Sequence, residues 1–233
     1  MASSVQSLLD EHAPDDDPTQ AKAAIFYSIT NTQRGLRNIS FGEYLIKQVV
    51  NHLSHELPQI EVYATLSPLP RLRNWLDRAP EEVLEAFVDD GERKTLTRLS
   101  GQETARAAFQ VLLARPDWPE DTAVANALAG PLKRLTVRYL LERRDDGTPT
   151  DPVARFHLKN GARLERVNWL GDASEKGLRQ AAGIMVNYRY DLTDIEANHE
   201  AYMNDGRVVL GNDVLRLIKG WKDSDGTLLR RKA

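Results

Sequence analysis

Residues 24–66 decide how this chain is read. They open on Ala24-Ile25-Phe26-Tyr27-Ser28-Ile29 and close on Glu61-Val62-Tyr63-Ala64-Thr65-Leu66. Both are short apolar runs rich in β-branched and aromatic residues, the pattern of buried strands. Between them lies a polar loop, Thr30 to Arg37, that contains Gly35. A helical pattern then runs from Ser40 to Glu56, with Leu45, Val49, Leu53 and Leu57 recurring four residues apart and Pro58 closing it. Strand, loop, helix and strand in that order predict a βαβ unit with parallel or mixed pairing.

Downstream, residues 71–144 read as mostly helical. The expected helices are Arg71–Asp77, Pro80–Asp89, Gln102–Ala114 and Thr122–Arg143, with a turn at Asp145-Asp146-Gly147-Thr148-Pro149. Arg163 to Trp169 reads as a strand. Ser174 caps a helix expected to run to about Tyr188, and a last helix is expected from about Asp213 to Lys222. Upstream, Val5 to Glu11 reads as a short helical turn, followed by a solvated loop from Pro14 to Pro18 with three consecutive aspartates. The fold class expected is α+β, a mixed sheet flanked by helices. Residues 1–24 are expected to form an N-terminal helix and acidic loop, and residues 25–233 a single domain.

Composition narrows the function. With 233 residues, 41% hydrophobic and 28% charged, the chain has the balance of an ordinary globular protein with a sizeable core. A net charge of −3 gives no global signal for nucleic acid. The absence of cysteine excludes disulfides, thiolate nucleophiles and cysteine metal sites, and agrees with a cytoplasmic setting. No apolar run is long enough to span a bilayer.

Three constellations carry chemistry. The loop-to-helix junction, Thr32 to Gly42, offers free backbone N–H groups at a helix start, with Arg34 and Arg37 for phosphate charge and Gly35 and Gly42 for close approach. The same pattern also suits a capped surface helix with solvated arginines. Ser67, in Leu66-Ser67-Pro68-Leu69-Pro70, stands at a strand end, where open sheets place ligands. It equally suits the start of a turn. His157, in Arg155-Phe156-His157-Leu158-Lys159-Asn160-Gly161, has the residue type of a general acid near neutral pH, or of a satisfied buried histidine beside a turn. His52 and His55 lie near the polar face of the long helix with no third ligand suggested, and His199 shows no ligand spacing, so no metal site is expected.

Taken together these segments resemble the malonyl-CoA decarboxylase family. The likeness rests on Phe26-Tyr27-Ser28-Ile29, Gln33, Gly35-Leu36, Gly42, Leu45-Ile46-Lys47, Leu66-Ser67-Pro68, Pro70 and Trp75-Leu76. It continues through Pro152-Val153-Ala154, Phe156-His157-Leu158, Asn160-Gly161-Ala162, Asn168-Trp169 and Asn187-Tyr188-Arg189-Tyr190. The resemblance implies a fold like that of the Gcn5-related N-acetyltransferases, acting on malonyl-CoA to give acetyl-CoA and CO2, with coenzyme A thioesters as the only ligands and no cofactor. No nucleic acid or membrane partner is implied. It makes Ser67 and His157 the catalytic pair. It assigns malonyl-CoA binding to Arg37, Asn38, Ile39, Ser40, Phe41, Gly42 and Glu43, and Tyr190 lines the same site. Asn38 replaces a glycine common in the family. Asn160 is expected to orient His157 or to donate to the thioester oxygen.

Family members carry a helical domain and further strands ahead of the segment resembling Ser4–Leu9, so the chain is expected to be an N-terminally shortened version. The helical domain would then be supplied elsewhere or be missing, and a homo-oligomer stays open. Two other functions stay open as well: a coenzyme A-dependent N-acyltransferase, and a coenzyme A-binding module without activity.

Overall fold

In the computed structural model, residues 1–10, 12, 17–27, 41–143 and 149–221 are described, with the backbone alone for residues 41–44. The βαβ unit forms as expected. Strand β1 (Ala23–Phe26) pairs in parallel with β2 (Val62–Thr65), and α1 (Phe41–Glu56) lies between them in sequence. The pairing runs from Ala23↔Val62 to Phe26↔Thr65.

The sheet is completed by strands that enter antiparallel. β5 (Met185–Tyr190) is its centre, lying between β2 and β4 (Arg163–Asn168). A two-residue strand, β3 (Ser67–Pro68), also pairs with β5. The registers Ala64↔Arg189 and Ser67↔Val186 have the same offset, so β2 and β3 are one line of chain whose pairing is interrupted over Thr65 and Leu66. The architecture is therefore a mixed sheet flanked by helices, the expected α+β class.

The helices form a second layer: α2 (Leu72–Arg78), α3 (Glu81–Glu85), α4 (Asp90–Ser100), α5 (Ala105–Ala114), α6 (Thr122–Leu141), α7 (Pro152–Lys159), α8 (Glu175–Ala181), α9 (Ile195–Asp205) and α10 (Asn212–Leu217). Their starts are set locally. Asp89 and Glu92 form a reciprocal capping box for α4, while Thr104, Asp121, Asp151 and Ser174 cap α5, α6, α7 and α8. Helix α6 is the spine of the core, burying Val124, Leu128, Leu132, Leu135, Tyr139 and Leu140. The Arg134 guanidinium on its flank is paid for by the Phe87 carbonyl, Glu92 and the face of Trp221.

Several expectations are corrected. The helix expected from Ser174 to Tyr188 stops at Ala181, because Ala182 and Gly183 take left-handed conformations (φ 50 and 73), and the following residues form the central strand β5. His157 lies on a helix, α7, in a segment with no helix assigned, and the turn at Asn160-Gly161 comes directly after it. Helices α4 and α9 replace segments with no helix assigned. The N-terminal turn is a single 3₁₀ turn, Gln6–Leu8. Most of the turn at residues 145–149, like the acidic residues Asp15 and Asp16, lies outside the described residues.

Candidate active site

Strand alternation puts Tyr63, Thr65 and Ser67 on one face of the sheet, with Val186, Tyr188 and Tyr190 of β5 beside them. Helix α7 packs over this face against β4 and α9. Asp151 starts α7, accepting from the Ala154 N–H at 2.7 Å, and Pro152 occupies its first turn. His157 falls in the last turn and points down onto the sheet. Its ring stacks on Tyr188, centroids 4.6 Å apart and 23° between planes, with Phe156 edge-on.

The expected pair meets. Ser67 Oγ lies 3.2 Å from His157 Nε2, and both side chains are buried, at 5% and 4% exposure. On the other edge of the ring, Nδ1 lies 2.8 Å from the Tyr190 hydroxyl. The Ser67 hydroxyl donates to Thr65 Oγ1 at 2.8 Å. With the serine proton on that side, the Ser67 oxygen accepts from Nε2–H and Nδ1 accepts from Tyr190, which is the Nε2–H tautomer.

The electrostatics are those of a dry pocket. Burial pushes the His157 pKa from 6.5 down to about 3, so the ring is neutral at neutral pH. Burial likewise pushes the Tyr190 and Tyr188 phenols above their ordinary range. Buried donors in this neighbourhood without a partner among the described residues include Asn160 Nδ2, on a side chain 2% exposed, and the fully buried Tyr188 hydroxyl. An orphaned buried donor costs about 1–3 kcal/mol, so Asn160 carries a cost in the free protein that an oxygen acceptor on a ligand would relieve.

Arg34, Gly35 and Arg37 to Ser40 lie outside the described residues, as do the side chains of Phe41 and Glu43 on either side of Gly42 at the start of α1. His52 pairs with Glu56 at 3.2 Å, His55 bonds the Asn51 carbonyl, and His199 bonds the Lys159 carbonyl, three local roles away from a shared ligand. Among the described residues no group of three or more His, Cys, Asp or Glu could hold a metal, and no helix is long and apolar enough to cross a membrane. Thr65 and Tyr188, which touch Ser67 and His157, were not singled out by sequence. The signal for both is alternation: they stand two residues from Ser67 and Tyr190 on strands facing one side.

The family model described as the malonyl-CoA decarboxylase C-terminal domain matches residues 1–227. The mitochondrial malonyl-CoA decarboxylase of Anser anser anser is 35% identical over 231 residues, which cover 96% of this chain and 46% of the goose protein. That of Rattus norvegicus is 34% identical over 225 residues, covering 94% of this chain and 46% of the rat protein. The chain thus spans about half the length of the curated relatives it matches. Among solved structures, the malonyl-CoA decarboxylase of Rhodopseudomonas palustris aligns with a TM-score of 0.80 at 41% identity, over 93% of this chain and 47% of that one. The malonyl-CoA decarboxylase of Agrobacterium vitis aligns at 0.79 with 45% identity, over 93% of this chain and 50% of that one.

Proposed function

The chain belongs to the malonyl-CoA decarboxylase family, and from that premise we propose that the Ser67–His157 pair is where malonyl-CoA loses CO2 to become acetyl-CoA. The observation that carries the reading is the meeting of these two buried side chains, 3.2 Å apart, at the end of a strand.

Decarboxylation breaks the bond between the α-carbon and the carboxylate. Its electron pair passes into the thioester carbonyl as an enolate, and one proton must then reach the α-carbon. The thioester is its own electron sink, so the chemistry calls for no further cofactor. In this reading the Ser67 hydroxyl contacts the malonyl carboxylate or the developing enolate, and Asn160 Nδ2 donates to the thioester oxygen. His157 gives the proton to carbon through Nε2, the nitrogen on the Ser67 side.

The low pKa of His157 fits this cycle. The free ring is neutral, and an entering carboxylate, opposite in charge to imidazolium, favours its protonation. When CO2 leaves, the negative charge moves to the enolate beside the ring. Burial excludes the water that would compete for the site. Arg37 to Glu43, at and before the first turn of α1, are proposed to hold the coenzyme A portion of the substrate, and a cytoplasmic setting is compatible with the cysteine-free composition.

The test is to incubate the chain with malonyl-CoA and no amine. Equal amounts of CO2 and acetyl-CoA are expected. Ser67→Ala and His157→Ala should each lower kcat by about 10²–10³-fold. His157→Ala at the parental rate would end its role as the acid. Consumption of acetyl-CoA only when an amine is added would replace the reading with acyl transfer. Coenzyme A binding without turnover would reduce the chain to a binding module.

A further inference from the structure

We propose that Thr65 is a positioning residue of this site, holding the Ser67 hydroxyl and, through it, the tautomer of His157; this rests on the decarboxylase reading and adds a residue to it. The observation is the two-residue interruption between Ala64↔Arg189 and Ser67↔Val186. Across that interval, side chains tie Thr65 to β5. The Tyr188 N–H donates to Thr65 Oγ1 at 3.2 Å, and Asn187 Nδ2 donates to the Thr65 carbonyl at 2.6 Å. On the other side, the neighbouring Leu66 N–H donates to the Phe26 carbonyl of β1 at 3.2 Å. Thr65 is 1% exposed, and its β-branched side chain is stiff.

Thr65 Oγ1 is therefore a fixed point, and the Ser67 hydroxyl donates to it at 2.8 Å. A serine hydroxyl has three staggered positions and little of its own to choose among them. With its proton committed to Thr65, the Ser67 oxygen turns a lone pair to Nε2–H, and His157 keeps the proton on the nitrogen beside Ser67. Without Thr65 Oγ1, the serine proton swings to Nε2 and the ring proton moves to Nδ1, against Tyr190. Asn187 fixes the same residue from the opposite face. Its Oδ1 accepts from Asn168 Nδ2 at 2.8 Å and Arg166 Nε at 3.2 Å, so it is itself held.

The test compares Thr65→Val, which keeps the shape, with Thr65→Ser, which keeps the hydroxyl. Malonyl-CoA turnover is measured alongside ¹⁵N resonances of the His157 ring. The parent should show Nε2–H. Thr65→Val should lower kcat by about ten- to a hundredfold with KM held, and shift the ring towards Nδ1–H, while Thr65→Ser stays near parental on both. An Nδ1–H parent, a Thr65→Val ring unchanged in tautomer, or equal losses in the two variants would overturn the proposal. If the parent does not decarboxylate malonyl-CoA, the functional reading falls, and the ring resonances still decide the role of Thr65. If Thr65→Val does not fold, Asn187→Asp, which removes the donor to the Thr65 carbonyl, must shift the same resonances, and an unshifted ring overturns the proposal.

Discussion

The Tyr190 hydroxyl lies 2.8 Å from Nδ1 of His157, on the edge of the ring away from Ser67. Both groups are buried, so the bond is made without competition from water. It holds the ring plane and biases which nitrogen carries the proton. Tyr190→Phe keeps the packing and removes only this bond. One neutral hydrogen bond is worth about 1 kcal/mol, so kcat for malonyl-CoA should fall by about fivefold, with KM unchanged. Steady-state rates of the two proteins measure it.

His157 also makes stability depend on pH. Its folded pKa, about 3, lies below its ordinary value of 6.5. Below the ordinary value the unfolded chain takes up a proton that the folded chain refuses. The contribution is therefore complete above pH 6.5 and is lost as pH falls towards about 3. The slope from this one group approaches about 1.4 kcal/mol per pH unit. Urea unfolding of the parent and of His157→Gln between pH 7 and 5 should show stability falling with acid more steeply in the parent. Parallel curves would mean that the ring is protonated in the folded protein.

How much of this was legible differs by element. The βαβ unit was, because apolar runs of strand length and a clean helical period sit side by side in residues 24–66. Ser67 was legible as a strand-end hydroxyl. The central strand was hidden by its approach. Ser174 is a sound cap, and Met185 and Val186 prolong the apolar run, so the helix reads on to Tyr188. The stop is Ala182-Gly183, and only the alternation of Val186, Tyr188 and Tyr190 marks the strand. Helix α7 carried its start in plain view, as Asp151 followed by Pro152, and the Asn160-Gly161 pair marks the turn after it. The meeting of Ser67 with His157 was not legible from spacing at all. It crosses a separation of 90 residues and depends on how α7 lies on the sheet; only the family resemblance anticipated it.

Asp151 anchors the helix that delivers His157. It is fully buried, accepts from the Ala154 N–H at 2.7 Å, and accepts from the Tyr139 hydroxyl at 2.9 Å. Asp151→Ala removes a helix cap and orphans a buried phenol. The two losses together should cost about 2–4 kcal/mol. Asp151→Asn retains an acceptor for the cap and removes a carboxylate whose ionisation burial opposes, so it should lose less. Chemical denaturation of both variants ranks them, and equal losses would show that the charge itself matters.

Gly161 closes the same helix. Its φ is +77, and a Cβ there would stand 2.1 Å from the Ile195 carbonyl oxygen at the start of α9. The two segments are further joined by Asn198 Nδ2, which donates to the Gly161 carbonyl at 3.2 Å. Gly161→Ala meets both a left-handed conformation and a backbone atom, which should cost more than about 2 kcal/mol. Relief requires α9 to move away from α7, so kcat should fall with stability. A thermal melt paired with an activity assay tests it; a parental melting temperature would show that the junction yields freely.

Asn160 separates function from stability. Its Nδ2 is buried with no partner among the described residues, next to the helix that holds His157. Folding gains nothing from such a donor, and water is lost to it. Asn160→Leu replaces it with an apolar side chain of similar size. If the amide is kept for a ligand oxygen, the variant should melt at or above the parental temperature while kcat/KM for malonyl-CoA falls by about tenfold or more, the loss of one hydrogen bond to a charged group. A residue retained for packing alone would behave the other way, losing stability with its amide and leaving turnover intact. Melting temperature and kcat/KM measured on one preparation therefore distinguish an amide that serves the substrate from one that serves the fold.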